Sequence, residues 1–164
     1  MNTTTPLLRT VSLGWSCGSC GELITSIEDG FVEWLAGADE YAADKYGTTR
    51  IKGLRLVHSL CRYDDRREFQ RDQSLVEGLP LARFVGADGL MLLLSLIAKR
   101  EMPEPDLLEL VKRVHIPGYE QTREFFLEAI HGGTVAPLIG EGFYTQSEIH
   151  EVLAWATKGA VPRE

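Results

Sequence analysis

Two different hydrophobic periods divide the chain. In the first half, apolar residues form short runs broken by turn residues. Glu22–Ile27 reads as a strand, Glu28-Asp29-Gly30 as a turn and Phe31–Leu35 as the return strand, because Asp-Gly between β-rich runs is a strong hairpin signal. A polar loop follows over 37–49, and Ile51–Val57 reads as a third strand. Residues 64–77, rich in Gln and Arg, are expected to form a largely exposed helix.

Beyond Gly78-Leu79-Pro80 and Gly86-Ala87-Asp88-Gly89 the period becomes helical. Leu90, Met91, Leu93, Leu94 and Ile97 follow i, i+3, i+4, i+7 spacing, and Leu92 and Leu96 make this helix apolar nearly all round. Such a helix belongs in a core or a subunit interface; the core is favoured. Pro103 and Pro105 mark a second helix striped by Leu107, Leu108, Val111 and Val114, which stops at Pro117-Gly118. A third helix is expected over Tyr119–His131, with Tyr119, Phe126, Ala129 and Ile130 inside and Gly132-Gly133 as its stop. A two-stranded wing then turns at Gly140-Glu141-Gly142. Thr145-Gln146-Ser147-Glu148 matches a capping box and opens a last helix carrying Ile149, Val152 and Leu153. The pattern predicts an α+β protein: a small β unit over 12–77, a connector over 78–87 and a helical domain with a short hairpin over 88–158.

Composition narrows the function class. With 44% hydrophobic and 25% charged residues the chain reads as globular. A net charge of -7 argues against coating nucleic acid or an anionic membrane. The longest strongly apolar stretch, Leu90–Ala98, falls far short of the roughly 20 residues a bilayer demands. MNTTTPLLRT has no basic leader or apolar h-region, so a cytoplasmic protein without a membrane is expected.

The cysteines carry the clearest chemistry. Cys17-Gly18-Ser19-Cys20 and His58-Ser59-Leu60-Cys61 make C-x2-C and H-x2-C pairs separated by 37 residues. Two residues between ligands let a tight turn aim both at one ion, and glycines at 18 and 21 permit that turn. Three thiolates and one imidazole from Cys17, Cys20, His58 and Cys61 are a closed tetrahedral set, suited to structural Zn2+. An iron–sulfur centre fits less well, since most clusters take four cysteines. His115, His131 and His150 stand alone, with His131 the reserve ligand. Four protein ligands leave no open position for water or substrate. Together with the missing nucleophile elbow, P-loop and dinucleotide motif, this gives the expectation of a non-catalytic protein.

Knuckle, hairpin, strand and second ligand pair over about 12–75 resemble a treble-clef zinc finger, with 37–49 as an insertion. No additional histidine of the kind a treble-clef nuclease needs is found. The element order over 88–157 resembles a winged helix-turn-helix domain of the MarR kind, and that resemblance implies DNA binding through the third helix. The charges point the other way. Residues 119–131 hold three acids and one base, so only Gln121, Thr122 and Arg123 suit base edges, and 88–164 holds 12 acids against 7 bases. Basic residues gather at Arg50, Lys52, Arg55, Arg62, Arg66, Arg67 and Arg71, against three acids in the same segment. These form the candidate surface for a phosphate backbone or a partner. The resulting expectation is a zinc-binding regulatory or adaptor protein with a protein partner slightly favoured. The alternative is a transcriptional regulator on duplex DNA. The apolar first helix of the second domain leaves a homodimer open.

Overall fold

A computed structural model describes residues 14–37, 51–62, 75–100 and 102–158. The chain is mixed α and β. It divides into two compact units, one over Gly14–Ile116 and one over Pro117–Glu164.

In the Gly14–Ile116 unit a two-stranded ribbon joins β1 (Trp15–Ser16) to β2 (Leu23–Ile24). A three-stranded antiparallel sheet has the order β4-β3-β5, with β3 at Gly30–Ala36, β4 at Ile51–His58 and β5 at Leu75–Pro80. Flanked on both edges, β3 is buried at every position from Gly30 to Leu35. Two helices complete the unit: α1 (Gly86–Lys99) and α2 (Glu104–His115). Their buried Leu93, Leu107 and Leu110 share one apolar cluster with Ile24, Val32, Leu56, Leu81 and Phe84. The expected connector and the first two helices of the second domain therefore lie inside this unit, and the division falls after Ile116. The physical reason is the helices' apolar surface, which packs into the core of the sheet.

The hairpin expected between Glu22–Ile27 and Phe31–Leu35 does not form. Leu23–Ile24 pairs with β1, and β3 pairs with β4 and β5. Gly30 has an ordinary negative φ; it is absent from the positive-φ glycines and lies in β3 opposite His58. Its missing side chain makes room for Leu81, whose Cδ2 would lie 2.5 Å from a Cβ at Gly30. Asp-Gly here records close packing, not a hairpin turn. Of the expected helix over 64–77, residues 64–74 lie outside the described residues, and Leu75–Glu77 belong to β5. Gly78 reads as a breaker but sits in that strand, where a Cβ would come within 2.4 Å of Phe31 Cε1 and of the Val32 carbonyl oxygen. Pro80 ends the strand at the sheet edge, where a missing N–H is tolerated.

In the 117–164 unit the single helix expected over 119–131 is two: α3 (Tyr119–Thr122) and α4 (Phe126–His131). Buried Thr122 turns its hydroxyl back onto the carbonyls of Gly118 (2.8 Å) and Tyr119 (3.1 Å), and the Phe125 N–H closes a tighter turn on the Thr122 carbonyl at 2.8 Å. Local bonding of this kind competes with the regular helix ladder. The expected wing is reduced to one isolated bridge between Gly140 and Phe143. The last helix, α5 (Gln146–Lys158), buries Ile149, Val152 and Ala156 in this unit. Its capping box forms in full. Glu148 N–H donates to Thr145 Oγ1 at 3.3 Å, and Thr145 N–H donates to Glu148 Oε2 at 2.6 Å.

Candidate metal centre

The first ligand pair is shaped by backbone bonds. Cys17 N–H donates to the Glu22 carbonyl at 2.9 Å, and Gly21 N–H donates to the Cys17 carbonyl at 3.0 Å. Gly21 closes the loop with φ +78, a left-handed conformation that glycine adopts without steric cost. Gly18 N–H reaches the Leu56 carbonyl at 2.8 Å, tying the knuckle to β4 two residues before His58. His58 is the last residue of β4, and a 3-10 turn over Ser59–Cys61 brings Cys61 round to the same place. Ser59 N–H holds that turn by donating to the Asp29 carbonyl at 2.7 Å.

One ligand atom from each of Cys17, Cys20, His58 and Cys61 lies within 4.8 Å of all the others, a separation at which the four can bind a metal ion. Tetrahedral bonds of about 2.0–2.3 Å place donors roughly 3.5 Å apart. Cys20 Sγ and His58 Nδ1 stand at that spacing, 3.5 Å. The other imidazole nitrogen, Nε2, lies 3.1 Å from the Leu23 carbonyl. A carbonyl only accepts, so Nε2 carries the proton and Nδ1 keeps its lone pair toward the thiols. An outer-shell bond of this type fixes the tautomer of a ligating histidine.

The electrostatics suit a cation. Burial pushes the Cys17 thiol up, but N–H groups of Cys20, His58 and Ser19 aimed at the sulfur outweigh it and bring its pKa to about 6. Two of these contacts measure 3.3 Å from His58 N and 3.4 Å from Ser19 N. Burial together with the negative charge of Cys17 pushes Cys61 up to about 11. Burial lowers His58, yet its bonds to Cys17 and to the Leu23 carbonyl raise it overall. Three clustered sulfurs resist sharing negative charge, and a bound cation relieves that conflict.

The candidate nucleic-acid residues fare differently. Arg55 donates from Nε (2.8 Å) and Nη2 (2.5 Å) to Oε1 of Glu33, a carboxylate with no solvent exposure. The guanidinium of Arg62 stacks 3.4 Å above the Phe31 ring. Thr122 is fully buried, and Arg123 pairs with Glu120 at 3.3 Å and Glu124 at 3.7 Å. Gln121 is half-buried and Lys52 is exposed, while Arg50, Arg66, Arg67 and Arg71 lie outside the described residues. The Glu33–Arg55 pair was not singled out from the sequence. Its signal is a lone acid inside Phe31-Val32-Glu33-Trp34-Leu35 and a lone base inside Leu54-Arg55-Leu56.

His115 and His150 do not join the cluster; His115 Nε2 lies 2.7 Å from the Phe84 carbonyl. His131, the reserve ligand, ends α4 outside it. Comparison with protein-family models, curated proteins and solved structures finds no match for the chain. No helix among the described residues is long and apolar enough to cross a membrane.

Proposed function

We propose that the chain is a non-catalytic, zinc-binding regulatory or adaptor protein, and that the ion shapes a binding surface instead of driving a reaction. The observation that carries this reading is the closed four-ligand set within 4.8 Å. A Cys3His set favours zinc over harder cations, and four protein ligands fill its tetrahedron. Knuckle, β3, β4 and the turn carrying Cys61 follow the order of a treble clef. Exposed apolar side chains flank the ligands: Leu60, between His58 and Cys61, is 97% exposed, and Leu23, beside the knuckle, is 38% exposed. Exposed leucines next to a rigid knuckle suit contact with a protein.

Duplex DNA is the second reading, favoured by the exposed Lys52 on β4. Two observations weigh against it: Thr122 has no exposed side chain, and Arg55 is committed to Glu33. Titrating zinc-loaded protein against a fluorescent duplex at 50 and 200 mM salt tests the choice. The adaptor reading expects no salt-dependent affinity. Binding that weakens steeply with salt, and loses part of that slope when Arg62, Arg66 and Arg67 are neutralised, would establish the DNA reading.

A further inference from the structure

Helix α1 buries Gly89 and Leu93 against its own unit but leaves a second apolar stripe outside. Met91 is 65% exposed and Leu94 48% exposed, and Ala87 and Ala98 are exposed on the turns before and after them. At about 100° per residue these four positions fall within roughly 60° of one another, so they form one face. Large exposed apolar side chains on one helical face mark an interaction site more often than scattered ones do.

The order of this stripe is symmetric. Ala87 and Ala98 are equidistant from the level midway between Leu92 and Leu93, and so are Met91 and Leu94. Two antiparallel copies crossing at that level set each Met91 opposite the partner's Leu94, and each Ala87 opposite the partner's Ala98. The long Met91 and Leu94 side chains meet at the crossing, and the small alanines flank it on both sides. A two-fold axis demands such self-complementarity.

The charges obey the same symmetry. Exposed Asp88 and Lys99 lie on one flank of the stripe, near opposite ends of the helix. The two-fold carries the flank onto itself with its ends exchanged, bringing Asp88 of one copy beside Lys99 of the other at both ends. A parallel two-fold would place the partner's flank on the opposite side of the seam and bring no Asp88 beside a Lys99. Side-by-side antiparallel helix dipoles attract one another.

We infer that the exposed Ala87-Met91-Leu94-Ala98 face of α1 is a two-fold interface with a second copy of this chain. This inference is independent of the zinc reading. A contact confined to one helix pair is smaller than the roughly 1,200–2,000 Å2 of stable complexes, so a weak, concentration-dependent dimer is expected.

The test is sedimentation equilibrium of the full metal-loaded chain from about 1 to 200 µM, with Leu94→Glu and Met91→Glu alongside. Both positions are exposed, so the variants keep the helical circular dichroism of the parent. The expected result is a parent that shifts from monomer to dimer and variants at least tenfold weaker in association. A parent that stays monomeric throughout overturns the proposal, as does a dimer unmoved by either variant. Carbodiimide coupling of a light and heavy isotope mixture provides a second readout. An Asp88–Lys99 link joining light to heavy chains is expected. A dimer that couples without that link contradicts the antiparallel crossing.

Discussion

His58 and Leu23 fix each other's roles at the candidate metal centre: the imidazole Nε2 lies 3.1 Å from the Leu23 carbonyl, which turns Nδ1 toward Cys20 Sγ. The backbone of one knuckle thereby selects the ligating nitrogen of the other ligand pair. In zinc-loaded protein, long-range 1H–15N correlation of the His58 ring should show a protonated Nε2 and a metal-bound Nδ1. The reverse assignment would remove the carbonyl from its outer-shell role.

The Glu33–Arg55 pair makes a prediction about stability. Glu33 is fully buried, and its Oε2 has no hydrogen-bond partner, so Arg55 is its main compensation. Arg55→Ala leaves a buried carboxylate uncompensated and should cost about 3–5 kcal/mol, whereas Glu33→Leu with Arg55→Met should cost far less. Urea denaturation of both variants measures the difference. A loss below about 1 kcal/mol for Arg55→Ala would show that the carboxylate is solvated.

Glu148 ties the start of α5 to pH. Its carboxylate accepts from the N–H and hydroxyl of Thr145 and from Leu138 N–H at 2.8 Å. Thr145 N–H foremost, against an opposing effect of burial, lowers the Glu148 pKa from its ordinary 4.5. A depressed folded-state pKa contributes stability that is complete above about 4.5 and is lost as pH falls through the lower folded value. Glu148→Gln should therefore cost roughly 1 kcal/mol at pH 7 and less at pH 3, where part of the carboxylate's advantage is lost. A cost that is the same at both pH values contradicts the assignment.

Gly89 reverses a familiar rule. Alanine normally stabilises a helix by about 1 kcal/mol over glycine. A Cβ at Gly89 would lie 2.2 Å from the Phe84 carbonyl carbon and 2.5 Å from its oxygen, both backbone atoms. Gly89→Ala should accordingly destabilise the protein by about 1–3 kcal/mol, read as a lower melting temperature. A raised melting temperature would mean that α1 can shift off the preceding turn.

The cluster of candidate ligands was legible because metal spacing is local: C-x2-C and H-x2-C each fit within one turn, and only their convergence within 4.8 Å needed the fold. Long amphipathic helices were legible too, as α1, α2 and α5 show. Errors gathered where a residue's meaning depends on a distant neighbour. Gly30 and Gly78 look like turn residues but sit in strands because Leu81 and Phe31 need the space. Thr122 looks like a base-reading side chain but is spent on its own helix. The edge strand β5 combines Gly78 and Pro80, so its propensity is weak, and its pairing with β3 comes from tertiary contact. The division after Ile116 follows from how α1 and α2 pack, which periodicity alone does not encode.

The most direct test of a structural zinc site is the mass of the protein sprayed from a non-denaturing buffer and again after acid. The expected result is one zinc per chain, released by acid and missing from His58→Ala and Cys61→Ser. A folded chain at its metal-free mass, or zinc retained by both variants, would contradict the assignment of Cys17, Cys20, His58 and Cys61 as its ligands.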